Sequence, residues 1–290
     1  DNIVGDCYSG VAGGAYSFGS QETGFSGDLD ISNDSFSNVY SRTDGIDSGF
    51  GGAVSIFGIE NSNNMSVTGC DFEHSISGLK SFAGGALFAQ NINELEVVES
   101  NFENISSFND GGSIYLNMVN NVVLSRDTIL YSGSANGSGG ALYAHSGSSI
   151  AIDGSLVSFS NAGIHGGAVR IDSFDDISVG TSESNSFFYN TSQRNGAALY
   201  FNNPTASLEI EGNVFSHNGN NEIGGGVFIQ NMENSFVSGI KENYFLFNQS
   251  EYNGAAIAYL NDDTGSLGSA ISSVDNVFLL NKLLDDASTG

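Results

Sequence analysis

Gly111-Gly112-Ser113-Ile114-Tyr115-Leu116, Gly139-Gly140-Ala141-Leu142-Tyr143-Ala144 and Gly166-Gly167-Ala168-Val169-Arg170-Ile171 are three copies of one unit. A Gly-Gly-Ala-like triplet is followed each time by an apolar-x-apolar strand. Nine such triplets begin at Gly13, Gly51, Gly84, Gly111, Gly139, Gly166, Gly196, Gly224 and Gly254. Successive spacings are 38, 33, 27, 28, 27, 30, 28 and 30 residues. A period near 28 marks a solenoid: a unit that small cannot bury its own apolar face and must stack on the next.

A second landmark keeps phase with the first. Asn-x-Phe-x-x-Asn occurs at Asn185/Phe187/Asn190, Asn213/Phe215/Asn218, Asn243/Phe245/Asn248 and Asn276/Phe278/Asn281, with looser versions centred on Phe36, Phe72, Phe102, Ile129 and Val157. Between triplet and Phe lies a third apolar stretch, as in Leu95-Glu96-Val97, Ile150-Ala151-Ile152 and Leu208-Glu209-Ile210. Alternation with period two reads as strand. Gly, Asn, Asp and Ser separate these stretches as turns, and the one proline, Pro204, sits in such a turn. No window has helical periodicity.

Three short strands per coil predict an all-β, single-domain parallel β-helix of about 9–10 rungs of roughly 28 residues, right-handed like other parallel crossovers. One domain spans 1–290, with irregular first rungs over 1–83 and regular ones over 84–284. At ~4.8 Å per rung the rod is about 45–50 Å long. A propeller is excluded because its blades need four strands and about 40 residues or more. Pairs such as Val169/Ile171 and Val227/Ile229 are expected to face inward. The Phe of Asn-x-Phe is expected to fill the core at the next corner, with its flanking Asn residues forming hydrogen-bonded ladders.

The residue between the two inward positions faces outward. It reads Ser55, Phe88, Tyr115, Tyr143, Arg170, Tyr200, Phe228 and Ala258. Phe88, Tyr115, Tyr143, Arg170, Tyr200 and Phe228 are therefore expected to form an exposed aromatic stripe, open to a protein partner or to sugar rings. The plainer alternative is a cross-rung ladder, or a face covered by a loop.

Gly-Gly-Ala-(Ile/Leu/Val) together with Phe-x-x-Asn resembles the repeat of the chlamydial polymorphic outer membrane protein family, from about Gly13 to Asn281. Similar repeats occur in other large surface proteins, including eukaryotic ones. The resemblance implies a right-handed parallel β-helix displayed at a cell surface, with a role in adhesion or surface structure rather than catalysis. The C-terminal outer-membrane barrel of many family members has no counterpart in this sequence, so the resemblance does not extend to autotransport.

Seven basic against 33 acidic residues give a net charge of −26. That field disfavours nucleic acid and anionic membranes, and favours cations, basic partners or neutral polysaccharide. No membrane insertion is expected. The chain starts at Asp1, shows no signal peptide and has no polar cap at either end, so we expect a piece or mature form of a longer protein, or ends covered by neighbouring copies. Self-association is expected, head-to-tail into a filament in the second case or lateral, with other surface proteins as alternative partners.

Several residues carry candidate chemistry. Asn33, Asn64, Asn104, Asn136, Asn190 and Asn248 begin Asn-x-Ser/Thr sequons, of which Asn104, Asn190 and Asn248 fall at or near the corner Asn. An unmodified Asn ladder is the alternative there. Cys7 and Cys70, the two cysteines, are a candidate disulfide pinning the first rungs, against two isolated thiols. Asp175-Asp176, Asp262-Asp263 and Asp285-Asp286 offer oxygens to Ca2+, although no calcium-loop spacing surrounds them. No cofactor is expected otherwise. His165 and Arg170, in Gly163-Ile164-His165-Gly166-Gly167-Ala168-Val169-Arg170, faintly resemble a polygalacturonase stretch, yet no Asp pair falls on a neighbouring rung at matching phase. The expected function is thus a non-catalytic extracellular structural or adhesive scaffold. The alternative is a carbohydrate-binding or polysaccharide-cleaving β-helix.

Overall fold

Each rung begins where a triplet reverses the chain. In the rung that starts at Gly111 the first glycine has φ +64°, and a Cβ there would collide with the Ile114 carbonyl oxygen. A Cβ on the second, Gly112, would overlap the Gly140 carbonyl oxygen of the next rung. The pair is fixed by a left-handed turn and by close stacking of backbone on backbone.

A computed structural model shows the chain as an all-β parallel solenoid, described over residues 2–5, 7–9, 13–20, 23–41, 49–58, 63–77, 83–230, 237–260 and 270–284. Three parallel sheets run its length. The long sheet has 14 strands and follows the triplets. Its central strands, Leu87–Val98, Ile114–Ser125, Leu142–Asp153 and Val169–Val179, fuse the two apolar stretches that the sequence separates. A left-handed residue bends each of them midway: Asn91, Met118, Ser146 and Ser173. The second sheet, here the Phe sheet, has ten three-residue strands from Ile3–Gly5 to Val277–Leu279. The third has ten two-residue strands from Tyr8–Ser9 to Lys282–Leu283. Sequence reading missed this short sheet because two residues carry no period.

Register keeps like over like. Phe187 pairs with Val157 and Phe215, and Val169 with Leu142 and Leu199. The inward pairs are buried from Val54/Ile56 through Val227/Ile229; at the last triplet Tyr259 is 64% exposed. The Phe side chains lie mid-strand rather than at a corner. Their rings stack, Phe36 on Phe72 on Phe102 at 4.8 and 4.7 Å, and Phe187 on Phe215 on Phe245 at 5.1 and 4.9 Å. Burying each such ring contributes about 1.5–3 kcal/mol.

Polar files close the two corners that flank the Phe sheet. On the entry side the Ser100 N–H donates to Asp127 Oδ1 (2.9 Å), the Asp127 N–H to Ser155 Oγ (3.1 Å) and the Ser155 N–H to Asn185 Oδ1 (2.8 Å). Asn185, Asn213, Asn243 and Asn276 continue the file as an amide ladder. On the exit side Asn190, Asn218, Asn248 and Asn281 do the same. The expected Asn ladders are therefore present, and all but their last members, Asn276 and Asn281, are buried. Asp127 occupies a position that Cys70, Ser100, Ser155 and Asn185 hold on neighbouring rungs and that Asp34 holds on an earlier one, and burial pushes its carboxyl up to about 8 even though backbone N–H groups oppose the shift.

The expected disulfide is corrected: Cys7 and Cys70 are both free thiols. Register explains why. Val4 stacks on Phe36, and Phe36 on Phe72. Cys7 follows Val4 on the exit side and Cys70 precedes Phe72 on the entry side, so opposite corners and two rungs separate them. Cys70 sits in the entry file, its Sγ donating to the Ile31 carbonyl at 3.5 Å.

Candidate functional site

The rod carries two aromatic rows. The first is the stripe read from the triplets. Phe88, Tyr115, Tyr143, Arg170, Tyr200 and Phe228 stand in one register, rung on rung. Their expected exposure is corrected: Phe88, Tyr200 and Phe228 are at most 3% exposed, and Tyr115, Tyr143 and Arg170 are half-buried. At three of the triplets the preceding residue folds back over the row. Phe50 packs on Phe88 at 4.6 Å, the His165 ring stacks on Tyr200 at 4.6 Å, and Ser138 Oγ accepts from Arg170 Nη1 at 2.8 Å. The row is a covered ladder, and at its first end Phe50, Phe57, Ala83 and Phe88 form a second, smaller core on which Tyr115 packs.

Arg170 is the one cation in that ladder. Its guanidinium lies 5.0 Å from the Tyr143 ring centre and 5.1 Å from that of Tyr200. Nη2 donates to Asp172 Oδ2 at 2.7 Å, and the Tyr143 hydroxyl donates to the same oxygen at 2.7 Å. Burial works against the charge on Arg170, but the bond and charge of Asp172 outweigh it, so its pKa moves up. Burial, with Arg170 and Arg194 nearby, lowers His165 to about 4, so the ring is neutral near pH 7. Burial, with Asp110 and Asp172 adding to it, pushes Tyr115 up to about 12. Every hydrogen-bonding face of Arg170 described by these contacts is engaged within the rod, which makes it a fastener between rungs.

The second row escaped the sequence reading. Tyr131, Phe159, Tyr189, His217 and Phe247 each stand two places after the Ile, Val or Phe of the Phe-sheet strand, at the turn into the short sheet. All five have left-handed backbone, with φ between 53° and 57°. Their rings stack in sequence at 5.0, 5.1, 4.7 and 4.9 Å. Tyr131, Phe159 and Tyr189 are 52%, 45% and 47% exposed. The left-handed turn swings this side chain out and the next residue in. The signal was an aromatic at constant phase within Phe-x-x-Asn, overshadowed by the louder triplet.

Around this row the surface is uncharged. Residues 128–134, 156–162, 186–192, 214–220 and 244–250, which make up the Phe strand, ladder turn and short strand of five successive rungs, contain no Asp, Glu, Lys or Arg. The earlier part of the same Phe-sheet face differs. There a groove of about 510 Å³ is lined by Asp71, Glu73, Asn101 and Glu103, and it ends at Leu130. The corner row in these earlier rungs holds Asn38, His74 and Asn104, also left-handed.

Asn190 and Asn248 are fully buried and donate through Nδ2 to Asn218 and Asn281, so their reading as glycan acceptors is corrected to the Asn-ladder alternative. Asn33, Asn64, Asn104 and Asn136 are exposed. Asp175 and Asp176 are exposed and accept from Thr205 and Ser207. Asp262-Asp263 and Asp285-Asp286 lie outside the described residues. Among the described residues no three His, Cys, Asp or Glu side chains gather as a metal site, and no helix is long and apolar enough to cross a membrane. No protein-family model, no curated protein and no solved structure matches the chain.

Proposed function

We propose that this chain is a non-catalytic structural and adhesive scaffold of an extracellular surface, a stiff rod that makes its contacts along the exposed aromatic corner. The observation that carries the reading is the second aromatic row. Left-handed backbone costs a bulky L-residue about 1–2 kcal/mol, and each ring stack returns about 0.5–1.5 kcal/mol. Folding alone would be served as well by asparagine, which tolerates this backbone and occupies the same corner at Asn38 and Asn104. Four exposed rings in succession, Tyr131 to His217, with the half-buried Phe247 after them, are thus better explained by a contact outside the rod than by stability within it.

The extracellular setting is drawn from the acidic composition and from the likeness of the repeats to those of surface proteins. The exposed sequons at Asn33, Asn64, Asn104 and Asn136 would place glycans on its surface. Antibodies raised against the recombinant chain, applied to intact source cells, test this setting. Surface labelling without permeabilisation is the expected result. Labelling that needs permeabilised cells would overturn the reading.

A further inference from the structure

We infer that the aromatic corner is a homotypic interface, on which a second copy of this chain lies antiparallel, side by side. The inference deepens the scaffold reading by naming the partner of the corner, and three features of the row lead to it.

The first is charge. A chain of net charge −26 repels its own copies, and close approach is least costly where carboxylates are absent. The neutral face that runs from residue 128 to residue 250 across five rungs is such a place. The second is period. The rings repeat at 4.7–5.1 Å along the rod, the spacing of its own rungs. They lie nearly parallel, between 1° and 24°, so each face is turned toward its neighbour and a partner meets ring edges and the notches between them. Sugar stacking needs an open ring face, and the interior of this row offers none. A partner that meets every ring edge must share the rung spacing, and a second copy of the same solenoid does so without adjustment.

The third feature sets the direction. Asp71, Glu73 and Glu103 lie on the rungs just before the neutral face. Parallel rods would set these carboxylates against their counterparts. Antiparallel rods carry them to opposite ends of the contact and leave neutral surface on neutral surface. A two-fold axis through the middle ring, Tyr189, would then bring Phe159 against His217 of the partner subunit, and Tyr131 against Phe247 of the partner subunit.

Sedimentation velocity over a range of concentrations, at near-physiological and at high salt, tests the pairing. The expected result is a species of two chains that tightens as salt screens the acidic charge. In the variant Tyr131→Asn with Phe159→Asn and Tyr189→Asn the pairing should weaken by about tenfold or more while circular dichroism is unchanged. Direction is tested by disulfide trapping in a Cys7→Ser background. Phe159→Cys mixed with His217→Cys should give the mixed disulfide, and Phe159→Cys alone should not cross-link. A wild-type chain that stays monomeric at the highest concentration in both salts overturns the inference. So does a triple variant that pairs as tightly as wild type, and Phe159→Cys that cross-links to itself overturns the antiparallel arrangement. Monomers of a chain that labels intact cells would sink the pairing and spare the scaffold reading; pairing of a chain that labels only permeabilised cells would do the reverse.

Discussion

Both aromatic rows run along the rod in register, and both point away from the main core, yet one is covered and the other is bare. Phe228 in the first is fully buried, whereas Tyr131 in the second is 52% exposed. The difference lies in what the chain does next to each row. Beside the first, the triplet turn folds its preceding residue back over the sheet, as Phe50 does over Phe88. At the second, the left-handed residue is itself the outermost point of the turn, and nothing in the rung can reach over it. In a solenoid, strand parity decides which side chains leave the main core, and the geometry of the adjoining turn decides whether water reaches them.

The largest effect should come from the covered row. Phe228→Ala would leave a hole in the covered row beneath Tyr200 and cost about 3–5 kcal/mol of unfolding free energy, read by denaturant titration. A cost near that of an exposed ring would mean the row does not pack as buried structure.

Arg170→Tyr sharpens the same comparison. It installs the residue that register neighbours Tyr143 and Tyr200 carry, but strands Asp172, which is 5% exposed, beside no cation. We expect a loss of about 3 kcal/mol. Adding Asp172→Asn, the residue at the matching position Asn202, should recover most of it. A double variant as unstable as the single one would show that Arg170 acts through the tyrosines rather than through Asp172.

Asp127→Asn separates burial of a charge from loss of a ring. The folded-state pKa of Asp127 is about 8, against about 3.9 unfolded, so the folded state holds a proton that the unfolded state has lost. Wild-type stability therefore falls as pH rises between about 4 and about 8 and is level above that window. The asparagine variant should lack this slope and gain on the order of 5 kcal/mol at the upper end. Parallel curves for the two proteins across the window would refute the assignment.

The smallest effect is expected at the bare row. Phe159→Asn loses two ring stacks and relieves a left-handed backbone, so the net change should stay within about 1 kcal/mol. A loss as large as that of Phe228→Ala would mean that the corner rings serve the rod's own stability, and would remove the argument for an outside contact.

Much of the rod was legible in its residues. The triplets fixed the rung period, the inward pairs and the register of the covered row. Phe-x-x-Asn fixed the Phe stack and the Asn files, since a residue that recurs at one phase of a parallel solenoid must meet its own kind on the next rung. The short sheet was not legible, because Thr191–Ser192 and its equivalents are too brief to show alternation. Nor was the fusion of Val169–Val179 into one strand, whose interruption at Ser173 reads as a turn until the backbone is seen to bend there without leaving the ladder.

The sequence by itself determined that this chain is a parallel solenoid and which side chains stack on which, because both follow from period alone. Only the tertiary structure decided which aromatic row meets water, which sequon asparagines are sealed inside, and that Cys7 and Cys70 stay apart. Those outcomes depend on the direction each turn takes between strands. A single left-handed residue sets that direction, and Asn, Tyr, Phe and His all accept it at the same corner of this rod.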